Sequence, residues 1–393
     1  LSINAADGAT GTIEINNIGD ADAVGVNTGA ISIGNANTAT LTLDGTLYKT
    51  DGTTIYEAAA GSTILLTAAS PTVSTANDNL TFDGGSLVLS TAGTTTISTG
   101  TGAGNLLIDG TINGTSGETE ALAISSGTGS TTIDGAIGAS NPVSTLTIGA
   151  SNNGAITVSS VGASGSAGAT GALAIGNTST TTLTLDGTIY ETSDSQTYSA
   201  VTGGFNIVVN PGNNTAVAFT TSNANIEFDT SGVSLWGDTT HTISTGNATG
   251  GTVVFDGAIQ SGDDGDNDIL TITSGTGNVT FTGAIGALKE LGGLNVNATG
   301  SGNGDITFTA AIGDTNAPQA GVIGTTAIGN TATDAINFNS TLYSFDGATT
   351  ITSESGETIE VAQAATFETA GDAITFATGT IDLADGANLT VNS

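Results

Sequence analysis

A stretch written twice limits what this chain can become. TLTLDGTLYKT spans Thr40–Thr50, and TLTLDGTIYET spans Thr182–Thr192. The match belongs to a longer one. LSINAADGATGTIEI at Leu1, LTIGASNNGAITV at Leu146 and LNVNATGSGNGDITF at Leu294 align, 145 and 148 residues apart. TISTG at Thr96 returns at Thr242, and SSGTGSTTIDGAIGA at Ser125 returns as TSGTGNVTFTGAIGA at Thr273. The chain therefore divides into a unit at 1–145, a second at 146–293 and a partial third at 294–393. An array of this kind folds by stacking equivalent pieces that bury little on their own.

A shorter rhythm runs beneath the long one. Runs such as LTLDG, TILLTA, SLVLS, LLIDG and ALAIS recur every 9 to 14 residues. In TLTL, Leu41 and Leu43 share one face of an extended strand, and Thr40 and Thr42 share the other. Many runs end in Asp-Gly or Gly-Asn, which turn the chain because these residues tolerate positive φ. Thr, Ile, Val and Gly are abundant and helix formers scarce, so the chain reads as all-β.

Two architectures fit: a parallel β-solenoid (β-helix) of tandem units of about 146 residues, or a string of antiparallel β-sandwich domains. The solenoid is the reading taken. Its narrow interior suits the aliphatic side chains supplied, and no linker separates the units. A sandwich would use more aromatic core than a chain with one Trp provides. With two or three strands per coil, each unit makes about five to seven coils. LYKTDGTTIYEA (Leu47–Ala58) argues the other way, because it reads as a hairpin around Asp51-Gly52.

LTLDGTIY, ITFTAAIG and IDLADGANLTVNS, rich in Gly, Thr, Asn and Ala, resemble filamentous-haemagglutinin-like adhesins, autotransporter passengers and other bacterial surface β-strand-repeat proteins. The resemblance covers the whole chain and lies in composition and rhythm. It implies a secreted or surface-displayed β-helical fibre used for adhesion or as envelope material, and brings no catalytic motif.

Charge narrows the partners. There are 36 acidic residues against Lys49 and Lys289, a formal net charge of −34. Two lysines cannot neutralise a run of phosphates, so nucleic acid is excluded, and an anionic membrane surface would repel the chain. No apolar run of 18 residues exists, so membrane insertion by a helix is not expected. No signal peptide is visible. There is no Cys for disulfides or a thiolate zinc site. The setting expected is extracellular, on a bacterial cell surface.

Chemistry is sparse. His241, in GDTTHTIST, is the only His, so any Ser-His-Asp triad would need it. The first unit places Thr95 there, and His241 is read as exposed or packing. Acid pairs could suggest a glycosidase, but 36 acids form pairs by chance. Outward Thr runs raise ice binding, without a strict Thr-x-Thr at every coil. Tyr48, Tyr190 and Tyr343 persist across the copies while the next residue changes from Lys49 to Glu191 to Ser344, so the Tyr reads as structural and its neighbour as exposed.

The best site is SGDDGDNDIL (Ser261–Leu270), where Asp263, Asp264, Asp266 and Asp268 crowd one Gly-containing loop. Calcium takes several hard oxygen ligands on a flexible turn. The first unit places Glu118 and Glu120 at the positions of Asp266 and Asp268. A solvated acidic loop is the other reading. The expectation is therefore an extracellular structural protein without catalytic activity, part of a surface fibre, filament, sheath or adhesin stalk. It would self-associate end to end or laterally, contact surface glycans and bind calcium as its one cofactor. The alternative is a carbohydrate-binding or carbohydrate-cleaving β-helix.

Overall fold

The computed structural model describes residues 1–5, 11–19, 29–117, 119–151, 154–209, 212, 215–247, 249–262, 267–300, 302–314 and 320–393. The described chain is all-β, without a helix, and its strand pairs are parallel. It is a β-solenoid formed of two compact bodies. The N-terminal body holds Leu1–Ser193 and Ser199–Val201; the C-terminal body holds Asp194–Tyr198 and Thr202–Ser393. The division falls inside the second sequence unit.

Each coil of the N-terminal body visits three faces in turn. The second coil, for example, runs from Ile31–Gly34 on the first face to Thr38–Leu43 on the second and Leu47–Thr50 on the third. Each strand pairs with its counterpart one coil away: Ile31–Gly34 with Thr54–Glu57, Thr38–Leu43 with Thr63–Leu66, and Leu47–Thr50 with Thr72–Thr75. The hairpin reading of Leu47–Ala58 is thereby corrected. Leu47–Thr50 and Thr54–Glu57 lie on different faces and do not pair; Asp51-Gly52 turns a corner between them. Local turn chemistry is the same for a hairpin and a solenoid corner, so only stacking on the next coil decides.

Period-two alternation sends every second residue inward. Tyr56, Phe82, Ile108, Ile133, Val158 and Leu185 form one continuous inward column of the N-terminal body. The C-terminal body has an aromatic one. Phe228, Phe255, Phe281, Phe308 and Phe338 stack with ring centroids 4.8, 5.5, 5.0 and 5.3 Å apart, because parallel register repeats the same residue at the coil spacing. The few aromatics thus serve the core.

Glycine lets the corners stack. A Cβ on Gly135 would lie 2.3 Å from the backbone carbon and oxygen of Gly110, and one on Gly110 would lie 2.0 Å from Gly85 O. Any side chain there would force the coils apart, which explains the Gly of Asp109-Gly110 and Asp134-Gly135.

The sequence unit and the coil are out of step. In the N-terminal body, TLTL of the first unit lies on the second face (Thr38–Leu43), whereas its copy lies on the first face (Leu183–Leu185). The copy comes fifteen strands later, and the single bridges at Ile137 and Val161 add two more positions, seventeen in all. Seventeen is not a multiple of three, so a unit occupies five and two-thirds coils and its copy falls one face back. The C-terminal body repeats the count independently. Ile226–Asp229 is on its third face and the copy at Ile374–Thr378 on its second, again fifteen strands plus bridges at Ile285 and Ile312.

Candidate functional site

Of the four acids in the Ser261–Leu270 loop, one falls among the described residues. Asp263, Asp264 and Asp266 lie outside the described residues. Asp268 is described, and it does not join a solvent-facing set: it is fully buried, with Oδ1 3.2 Å from Nε2 of His241 on the preceding coil. His241, read as exposed or packing, is packed: it is 1% exposed.

The first unit shows why an acid recurs there. Glu120 opens its strand as Asp268 precedes Ile269–Thr273, and it too is buried. Its carboxylate accepts hydrogen bonds from Thr115 Oγ1 and, at 3.1 Å, from the Thr119 N–H. Burial works to raise its pKa, but the Thr115 hydroxyl and neighbouring backbone N–H groups outweigh it and hold the carboxyl below the usual value. Thr95 and His241 also correspond, each aligned with a Leu one coil on, Leu122 and Leu270. The recurring acid is thus an inward residue of the corner, with partners that differ between copies.

Other carboxylates gather on the outside. In the N-terminal body, from Thr54–Glu57 onward, the residue leaving the first-face strand is Glu57, Asp83, Asp109, Asp134, Ser159 and Asp186 on successive coils. The Asp-Gly endings of the runs signalled these residues as turns; their alignment into an acidic column needed the coil length. Partial desolvation, with like charge from Asp109 and Asp186, pushes the Asp134 carboxyl above its ordinary value. Its raised pKa means the fold favours the protonated acid, so stability is lost as pH rises through that value. Asp134→Asn is accordingly expected to raise the unfolding free energy by a few tenths of a kcal/mol at pH 7 and low salt. The gain should vanish at pH 3 and shrink in salt; thermal melts of both proteins at the two pH values check it.

In the C-terminal body Glu227, Asp229 and Asp256 bring carboxylate oxygens within 4.8 Å of one another. Desolvation, then Asp229 and Asp256, push Glu227 upward. Nothing beyond the acids themselves points to a ligand there.

The three Tyr of the repeat are corner braces. Tyr190 is fully buried; its hydroxyl accepts the Gly187 N–H at 3.0 Å and donates to Val158 O at 2.9 Å. Tyr48 makes the same pair of bonds with Gly45 N–H and Ile15 O, and Tyr343 accepts the Ser340 N–H. Burial pushes the Tyr48 hydroxyl up to about 12, against the Gly45 N–H and with some help from Asp44. The neighbours Lys49 and Glu191 are half-buried, while Ser344 is buried, which corrects its reading as exposed. Tyr190→Phe removes the hydroxyl and leaves two buried backbone groups without it. A loss of about 1–3 kcal/mol is expected, read by denaturant unfolding.

No protein-family model, curated protein or solved structure matches this chain. Among the described residues no helix is long and apolar enough to cross a membrane.

Proposed function

We propose that this chain is a structural, non-catalytic segment of an extracellular bacterial surface fibre, sheath or adhesin stalk, in line with its resemblance to filamentous-haemagglutinin-like proteins. One observation carries the reading. A unit of seventeen strand positions puts each copy of any outward motif on a different face, so repeated surface chemistry never lines up into one site. What the copies preserve faces inward: the Tyr brace, the buried acid and the aliphatic columns. Selection on such a unit acts on stacking.

Self-association along the stack is part of the proposal. Surface glycans are the proposed adhesion partner. Calcium is proposed for the loop of Asp263, Asp264 and Asp266, with Asp268 removed from the ligand set. The competing carbohydrate-cleaving reading draws on Glu227, Asp229 and Asp256, whose spacing is near that of paired glycosidase carboxylates. Against it, the large hydrophobic side chains exposed among the described residues include no aromatic on which a sugar ring would stack.

Negative-stain electron microscopy of the purified protein is expected to show rods or filaments; compact monodisperse particles would overturn the structural reading. Melting the same preparation with and without EDTA reads calcium, and an unchanged midpoint removes it.

A further inference from the structure

One corner of the C-terminal body concentrates unsatisfied polarity. Eight buried side-chain N or O atoms among the described residues lack a hydrogen-bond partner, and five lie between residues 236 and 268: Trp236 Nε1, His241 Nδ1, Gln260 Oε1, Ser261 Oγ and Asp268 Oδ2. They sit on two adjacent coils at the passage from first to second face. Val233–Leu235 leads through Trp236 into Thr240–Ser244, and Ile259–Ser261 leads through Gly262 to Asp268 and Ile269–Thr273. The coils are in register, Leu235 with Ser261 and His241 with Leu270. Trp236 closes over Gly262, where a Cβ would meet the indole at 2.1 Å.

Each unpaired buried polar atom leaves its desolvation uncompensated. The set therefore calls for a guest, and its chemistry states which kind. A carboxylate, an amide oxygen and a hydroxyl supply acceptors beside an imidazole, and of the five orphan atoms only Trp236 Nε1 is solely a donor. That surplus suits a cation. An imidazole nitrogen with oxygen donors suits a zinc-like ion, whereas calcium and magnesium prefer all-oxygen sites.

We propose that this corner takes up one divalent transition-metal cation of the zinc class, with His241 Nε2 and Asp268 Oδ1 as adjacent ligands. Their separation of 3.2 Å is a hydrogen bond when a proton lies between them. It also matches the edge, about 3.3 Å, of a tetrahedron whose metal–ligand arms are about 2.0 Å. The ion takes the place of the proton between them, and the single proton of the neutral ring moves to Nδ1. Gln260 Oε1 and Ser261 Oγ are the other buried oxygens without a partner on the coil that carries Asp268. The first unit carries Thr95 and Glu120 at the ligand positions, and Glu120 is satisfied by Thr115 and Thr119, so one ion per chain is expected.

The test uses the full chain, titrated with Zn²⁺ and separately refolded with Zn²⁺ so that slow entry into a buried site does not hide binding. A large excess of Mg²⁺ occupies the acidic surface. His241 is the only histidine, so its imidazole nitrogens are read by NMR without mutagenesis. The proposal expects Nε2 to leave its metal-free position at one equivalent of Zn²⁺ and one ion per chain to survive dialysis. Folded His241→Gln should bind on the order of 10-fold or more weakly, whereas Glu227→Gln should bind as the parent does. Imidazole signals unmoved in both titrated and refolded protein would overturn it, as would equal retention of Zn²⁺ by folded His241→Gln. If His241→Gln does not fold, the imidazole signal of the parent protein decides alone.

Discussion

Phe281→Ala is expected to destabilise the C-terminal body by about 3–5 kcal/mol, among the largest effects of any single substitution in it. Phe281 is the middle ring of five, with Phe255 at 5.5 Å and Phe308 at 5.0 Å, and it is fully buried. Truncation removes its transfer free energy and opens a cavity between two coils that cannot close, because backbone hydrogen bonds on all three faces hold the coil spacing. It also breaks two ring contacts, each adding about 0.5–1.5 kcal/mol beyond burial. Phe281→Leu should cost clearly less, since Leu fills most of the column and aliphatic columns already serve the N-terminal body. Urea unfolding followed by far-UV circular dichroism checks both variants. Equal, small losses would mean that the rings are not a continuous stack.

How much of this could be read beforehand varies by feature. The all-β class and parallel solenoid followed from TLTL-type alternation, Gly corners and an interior of Ile, Leu and Val, because those patterns are local and repeat. The order of faces did not. LYKTDGTTIYEA contains every signal of a hairpin, and its two strands separate only because each pairs better with a neighbouring coil, a contact 23 to 26 residues away in sequence. The face-shifting unit was equally hidden, since it depends on strand positions at Ile137 and Val161 that shrink to single bridges. At the candidate site, acid recurrence at Glu120 and Asp268 was visible, but the burial of both was not. A row of Asp and Gly reads as a solvated calcium loop, whereas the last Asp turns inward to meet a His that precedes it by 27 residues. Charge counted along the chain carries no information on which carboxylate the corner buries.

That inward turn leads to the second large effect. His241→Ala leaves Asp268 as a fully buried carboxylate with its only described hydrogen-bonding side chain removed, and a loss of about 3–5 kcal/mol is expected. Asp268→Leu strands the imidazole and should also destabilise. The double variant His241→Leu with Asp268→Leu is expected to recover much of the loss in metal-free buffer, because it removes both desolvated groups and the column can accept aliphatic side chains, as it does at Leu270. Unfolding free energies of the four proteins form a closed cycle, and additive losses would show that the two side chains do not act as a pair. Run again with Zn²⁺, the cycle separates packing from binding. A pair that only fills space gives the same coupling with and without the ion, whereas a ligand pair gives a larger one that the double variant loses entirely. The first unit, which carries Thr95 and Glu120 at these positions, should be indifferent to Zn²⁺.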